Sequence, residues 1–316
     1  MNRRDFHLRL AAALGAGISF PACAAPPTAA LPPNKWTALE MLSGGRLGVA
    51  VLQADGRIDG HRLDERFPMC STFKWLAAAC VLRRVDAGQE QLDRTIPFGA
   101  DALLAHSPVT QEHAGNGGMT LAQLCAATIA VSDNAAANLI LSTFGGPAGL
   151  TTYARSLGDT VTRLDRWEPD LNEATPGDPR DTTSPRAMAG LLHATLVGNA
   201  LSSASREQLG RWMEATRTNE KRLRADLPSG WRMGSKTGTG ARGTTNDVGI
   251  FWPPGRPPVV VVAYLTQTDA PEADRNAAVA EVARRMVHAP DVRAVRPPAA
   301  RRVGHDDSSR KVLVNT

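Results

Sequence analysis

The chain has 316 residues, with 36 Lys and Arg against 31 Asp and Glu, a formal charge of +5. That excess sits at the ends: +2 in residues 1–25 (Arg3, Arg4 and Arg9 against Asp5) and +3 in residues 291–316 (six Arg or Lys against three Asp), so the body is neutral and nothing in its charge points to nucleic acid. Once Cys23 of the leader is set aside, Cys70, Cys80 and Cys125 form neither a disulfide framework nor a Cys/His metal spacing, and neither a metal nor a cofactor is expected.

Residues 1–25 read as an export leader. Arg3-Arg4-Asp5-Phe6 is followed by an apolar stretch from Leu10 to Phe20, too short to span a bilayer, and by the small-residue cleavage site Ala22-Cys23-Ala24. The paired arginines before Phe6 resemble the twin-arginine signal, which implies a periplasmic destination; an ordinary secretory leader is the plainer alternative. Lys35–Leu42 is predicted as a helix, and Leu47–Gln53 with Ile58–Leu63 as a hairpin turning at Gly56-Arg57. Helical patterns then run through Ser71–Asp86, Thr120–Val131 (opened by a Thr-x-x-Gln capping pattern), Asn134–Phe144, Arg186–Leu196 and Ser205–Ala215. Strands return at Met233–Thr239, Asp247–Trp252 and Pro258–Thr266, and a closing helix runs from Ala273 to Val287. No segment after the leader is long and apolar enough to be a membrane span. Residues 291–316, rich in Arg, Asp, Ser and Pro, are expected to be a disordered tail.

Strands at both ends and helices between them predict an α+β fold. An antiparallel sheet completed by both termini, with flanking helices, would take residues 26–64 and 215–290, and an all-helical subdomain residues 65–214.

Three short motifs carry chemistry. Ser71-Thr72-Phe73-Lys74 puts a hydroxyl and an amine one helical turn apart, and a desolvated lysine can take a proton from serine. At a helix N-terminus the Ser71 N–H would also face a developing oxyanion. Alone this means little, since Ser308-Ser309-Arg310-Lys311 repeats the pattern in the tail. Ser132-Asp133-Asn134 follows at a helix–helix junction, where an N-cap is the bland reading. Lys236-Thr237-Gly238 lies in a strand, its glycine expected to let a ligand approach the backbone. In this order the three match the set shared by class A β-lactamases and penicillin-binding proteins.

The chain resembles the class A serine β-lactamases over nearly all of residues 34–288. A fourth motif, Arg166-Trp167-Glu168-Pro169-Asp170-Leu171-Asn172, matches the Glu-x-x-Leu-Asn of that family's Ω-loop, here residues 166–181, with Arg166 and Asp181 at its paired neck positions and Glu168-Pro169 at its cis peptide. The resemblance implies hydrolysis of penicillins and cephalosporins, hence antibiotic resistance, by a monomer whose partners are small-molecule β-lactams. Ser71 would attack the lactam carbonyl, and either Lys74 or Glu168 through water would accept its proton. Ser132 would pass a proton to the leaving nitrogen, and Glu168 with Asn172 would activate the deacylating water. Asn134 would bind the substrate's side-chain amide, and Lys236 and Thr237 its carboxylate. The N–H groups of Ser71 and Thr239 would form the oxyanion hole, the Thr239 hydroxyl leaning the preference toward cephalosporins or a broader range.

Several positions depart from the family. Thr245 stands where some members carry a guanidinium, and Arg222 resembles the arginine that others supply from the segment before the sheet; a solvated surface arginine is the alternative. His106 replaces the usual aromatic gate residue. Carbapenem-hydrolysing members often link the cysteine before the nucleophile to one after Lys-Thr-Gly, but Gly240 faces Cys70 here. Cys125 matches one end of another subgroup's bond whose other end falls at Ala78, so Cys80, two residues on, is expected to stay a free buried thiol beside Cys125. The rival readings are a DD-peptidase, against which Glu168 and Asn172 argue; a β-lactam sensor that acylates without turnover, which would be expected to hang from a membrane domain rather than follow a cleavable leader; and a serine esterase or glutaminase sharing Ser-x-x-Lys, which would not be expected to carry the loop glutamate.

Overall fold

The computed structural model describes residues 35–288; the expected leader and tail lie outside them. In chain order its elements are helix α1 (Lys35–Ser43), strands β1 (Arg46–Gln53), β2 (Ile58–His61) and β3 (Phe67–Pro68), helix α2 (Phe73–Asp86), strands β4 (Thr95–Ile96) and β5 (Met119–Thr120), helices α3 (Leu121–Ala130), α4 (Asn134–Ser142) and α5 (Gly146–Ser156), strand β6 (Thr182–Thr183), helices α6 (Pro185–Leu196) and α7 (Ser203–Glu214), strands β7 (Arg232–Thr239), β8 (Thr245–Trp252) and β9 (Val259–Thr266), and helix α8 (Glu272–Val287).

The sheet runs β2-β1-β9-β8-β7, antiparallel throughout, so the N-terminal hairpin pairs with the last strand. β9 is buried along its whole length, as its Val-Val-Val-Val-Ala-Tyr-Leu-Thr sequence requires of a central strand covered on both faces. Val260, Val262 and Tyr264 face the helices of the central region; Val261, Ala263 and Leu265 face α1 and α8. Residues 73–82 of α2 are all buried, which accounts for its Ala/Leu-rich sequence.

Local chemistry sets the helix starts. The Thr120 hydroxyl accepts the Gln123 N–H (3.2 Å) while the Gln123 side chain accepts the Thr120 N–H (2.8 Å), the capping box expected from sequence. Ser184 caps α6 just before Pro185, and Glu272 and Asp274 occupy the first turn of α8.

Two local expectations need correction. Ser71 does not open α2. It lies in a separate 3₁₀ turn, Cys70–Thr72, with Cys70 at φ +45°, and the α-helix begins at Phe73. The second miss is α5, whose Gly-Pro-Ala-Gly-Leu-Thr-Thr start has poor helix propensity. Packing compensates: Leu150, Tyr153 and Ala154 are buried, Pro147 occupies the first turn, and a Cβ at Gly149 would lie 1.9 Å from the Phe144 carbonyl oxygen.

Candidate active site

The nucleophile turn is clamped from three sides. β3 pairs with β6, at the end of the Ω-loop, and delivers the chain to Met69, whose N–H donates to the Asp181 carbonyl (2.9 Å). Asn246 of β8 donates to the Pro68 carbonyl (2.9 Å). β7 lies against the turn so closely that a Cβ at Gly238 would come 2.7 Å from the Met69 carbonyl oxygen and 3.3 Å from Cys70 Cβ. The glycine of Lys-Thr-Gly is therefore required by the chain's own backbone packing; the expectation had assigned the close approach to a ligand. Residues in the left-handed region of positive φ gather here: Cys70 (+45°), Ser132 (+62°) and His106 (+63°), a conformation that costs non-glycine residues about 1–3 kcal/mol each and persists where surroundings enforce it.

Behind Ser71 lies a fully buried ion pair. The Ser71 hydroxyl donates to Glu168 Oε1 (3.1 Å), and Lys74 Nζ lies 3.0 Å from that same oxygen. Lys74 also donates to the Ser132 carbonyl (2.8 Å) and to Asn134 Oδ1 (2.6 Å). Lys236 Nζ donates to the Ser132 hydroxyl (3.0 Å) and to the Thr237 carbonyl (2.8 Å), so Ser132 bridges the two lysines. Burial lowers the pKa of Lys74, opposed by the charge of Glu168. Burial, reinforced by the charge of Lys74, takes Lys236 well below the usual amine range. Both amines are thereby made easier to deprotonate than a solvated lysine.

Ser132-Asp133-Asn134 divides its labour. Asp133 is the N-cap, accepting the Ala136 N–H (2.9 Å), so the bland reading is true of that residue. Ser132 and Asn134 on either side turn into the site. Glu168 is held at both ends. Asn172 Nδ2 donates to its Oε2 (2.5 Å), while Asn138 accepts the Glu168 N–H (3.1 Å) and donates to the Glu168 carbonyl (3.0 Å). Asn138 was not singled out from sequence. It lies one helical turn after Asn134, so its position on the same face of α4 was the available signal.

The Ω-loop neck closes through Asp181, which accepts the N–H groups of Asp165 (2.8 Å) and Arg166 (2.9 Å) on one oxygen and Arg166 Nε (2.6 Å) on the other. Asp181→Asn removes the charge of a carboxylate that is 1% exposed and leaves Arg166 without its inner partner. A loss of about 3 kcal/mol is expected in denaturant unfolding.

Ser71 opens into a cavity of about 340 Å³ whose wall also holds Ser132, Asn134, Asn172, Thr237, Gly238 and Thr239. His106 lines it too, its ring nitrogen bonded to the Val131 carbonyl (2.9 Å). Arg222 reaches the same cavity and is 7% exposed, which removes the surface-arginine alternative. It donates to the Thr239 hydroxyl (2.8 Å) and to the Gly238 carbonyl (3.0 Å). Thr218, also unremarked in the sequence, shares a hydrogen bond with the Thr237 hydroxyl (2.6 Å). Thr245 receives a hydrogen bond from Arg275 Nε (3.2 Å), so a second guanidinium approaches where the expected position lacks one. Cys70, Cys80 and Cys125 are free and buried. A Cβ at Gly240 would lie 2.6 Å from Cys70 Sγ, inside any non-bonded contact. Gly240→Cys is therefore expected to form the missing bond, seen as a loss of two hydrogens by mass spectrometry, at the cost of displacing the Asn172 carbonyl, which lies 2.8 Å from the same Cβ. Among the described residues no cluster of three His, Cys, Asp or Glu could hold a metal, and no helix is long and apolar enough to cross a membrane.

A buried Ser–Lys–Glu cluster with a second Ser–Lys pair at the mouth of a cationic cavity defines a serine hydrolase that works through a covalent acyl intermediate. Comparison narrows that class. The sequence profile of the beta-lactamase enzyme family matches residues 34–289. The chain is 45% identical to the beta-lactamase AST-1 of Nocardia asteroides over 89% of its own length and 91% of that protein's. It is 45% identical to the beta-lactamase CTX-M-8 of Citrobacter amalonaticus over 79% and 86%. An ancestral class A β-lactamase structure superposes with a TM-score of 0.78 at 60% identity, covering 79% of this chain and 96% of that one. The chain belongs to the class A serine β-lactamase family.

Proposed function

We propose that this protein hydrolyses the β-lactam amide of penicillins and cephalosporins through an acyl-enzyme on Ser71, deacylated by water that Glu168 activates. The observation that carries the reading is the buried contact of Glu168 with both Ser71 and Lys74, under the amide of Asn172. Ser71 Oγ attacks the lactam carbonyl carbon, and its proton passes to Glu168 or to Lys74. The tetrahedral oxyanion lies against the N–H groups of Ser71 and Thr239. As it collapses the C–N bond breaks, and Ser132, bridged to both lysines, delivers a proton to the leaving nitrogen. Glu168 then takes a proton from water, which attacks the ester carbonyl and releases Ser71. Asn172 supports this step: its Oδ1 is buried with no hydrogen-bond partner among the described residues, an acceptor suited to orienting that water. Asn134 recognises the substrate's side-chain amide, Arg222, Lys236 and Thr237 its carboxylate, and His106 borders the entrance.

The same reading assigns residues 26–64 and 215–290 to an α/β subdomain, residues 65–214 to a helical one, and catalysis to their junction. It makes residues 1–25 a cleaved twin-arginine leader that sends a monomer to the periplasm. The test is a time course of the protein lacking residues 1–25 with excess chromogenic cephalosporin. Turnover far beyond one equivalent is expected. A burst of one equivalent followed by silence would replace hydrolysis with sensing or peptidase chemistry.

A further inference from the structure

Arg222 is buried, yet every acceptor it holds is neutral: the Gly238 and Asn246 carbonyls, the Thr239 hydroxyl and the Asn276 amide oxygen. A guanidinium so placed is strongly felt along the cavity wall, because little solvent screens it. One fully buried carboxylate lies behind it. Asp247 sits on β8 directly opposite Thr237 of β7. Its Oδ2 accepts the N–H of Leu223 (3.1 Å), the residue after Arg222, and its Oδ1 has no hydrogen-bond partner. No step of the proposed mechanism uses it. A buried carboxylate with an unpaired oxygen is costly, and such a group commonly serves a site.

We propose that Asp247 is a positioning residue of the substrate-carboxylate subsite, anchoring the Arg222-bearing segment through Leu223 and setting with its own charge how strongly Arg222 attracts an anionic substrate. The inference rests on the proposed function, since it concerns how that site reads the substrate's carboxylate. Burial pushes Asp247 up to about 6, against the charge of Arg222 and the Leu223 N–H. The groups around it are Ser235 and Lys236 on β7, Ala263 opposite it on β9, and Arg222 and Leu223 from the preceding segment. Glu272, Arg275 and Asn276 of α8 lie beyond Arg222. Arg222 stays charged throughout the physiological range. Above pH 6 Asp247 is ionised and offsets part of that charge. Below pH 6 it is neutral, the offset vanishes, and an anionic substrate is held more tightly.

The experiment measures binding apart from chemistry. The dissociation constants of a penicillin and of its methyl ester are determined for the Ser71→Ala protein between pH 5 and 8. The penicillin is expected to bind about three- to tenfold more tightly at pH 5 than at pH 8, the ester equally at both. Ser71→Ala/Asp247→Asn keeps an acceptor for Leu223 without the charge, and should hold the tight value at every pH. A penicillin profile that is flat, or a slope that persists in the Asp247→Asn protein, overturns the proposal. Should the double variant fail to fold, Ser71→Ala/Lys236→Arg, whose guanidinium keeps its charge over the whole range, is measured instead: a slope for the penicillin but not its ester supports the proposal, and a flat profile overturns it. Failure of the function itself would show separately, as absence of turnover by the unsubstituted protein.

Discussion

Glu168→Ala is expected to stop after one acylation, with the opened lactam left on Ser71. The side chain is buried, its two oxygens committed to Ser71 and Lys74 on one side and Asn172 on the other. Nothing else described within reach combines a carboxylate with that amide, so no neighbour can take over proton removal from water. Losing a positioned general base costs about 10²–10⁴-fold in the step it serves. Lys74 remains beside Ser71, bonded to the Ser132 carbonyl and Asn134 Oδ1, so a route to acylation persists. Intact-protein mass spectrometry after a brief exposure to a cephalosporin should show an adduct that lasts far longer than in the parent. Continued turnover at the parental rate would remove Glu168 from deacylation, and no turnover with no adduct would make Glu168 the acceptor of the Ser71 proton in acylation.

Lys74→Ala should lose both activity and stability, and its pattern of loss is diagnostic. Deleting the amine leaves Glu168 buried without its counter-charge, a change that typically costs about 3–5 kcal/mol. For a chain of this size that corresponds to a fall of roughly 10 °C in melting temperature. Acylation should slow by about 10²–10⁴-fold, because the proton on Ser71 loses one acceptor and Ser132 loses one of its two lysines. Lys74→Ala/Glu168→Ala removes both members of the pair. It is expected to be more stable than the sum of the single losses implies, since neither charge is then stranded. Strict additivity would mean that the pair contributes no coupling, and that Lys74 acts through its bonds to Ser132 and Asn134 alone.

Legibility differed from residue to residue. Four motifs and the order of strands and helices were readable because each rests on local spacing: Ser71 and Lys74 three apart, Glu168 and Asn172 four apart, Thr120 and Gln123 in their capping pattern. Asn138 was missed because its partners are the backbone atoms of Glu168, thirty positions away. Asp247 was missed because inside a strand its identity resembles any polar residue until its burial is known. The 3₁₀ turn at Ser71 was read as helix, since what separates the two is the pressure of β7 through Gly238 and of the Ω-loop through Asp181, both remote in sequence.

The sequence by itself therefore determined which groups could react and the α+β class, through periodicities and motifs set within a turn or two. Only the tertiary structure decided that Ser71, Lys74, Ser132, Glu168 and Lys236 form one connected network, that Arg222 is buried at its edge, and that Gly238 serves backbone packing. The physical reason is distance along the chain. A proton acceptor, a buried charge or a close backbone contact acts over a few ångströms in space, and segments as far apart as residues 71, 132, 168 and 236 come within that range only once the sheet and helices have packed.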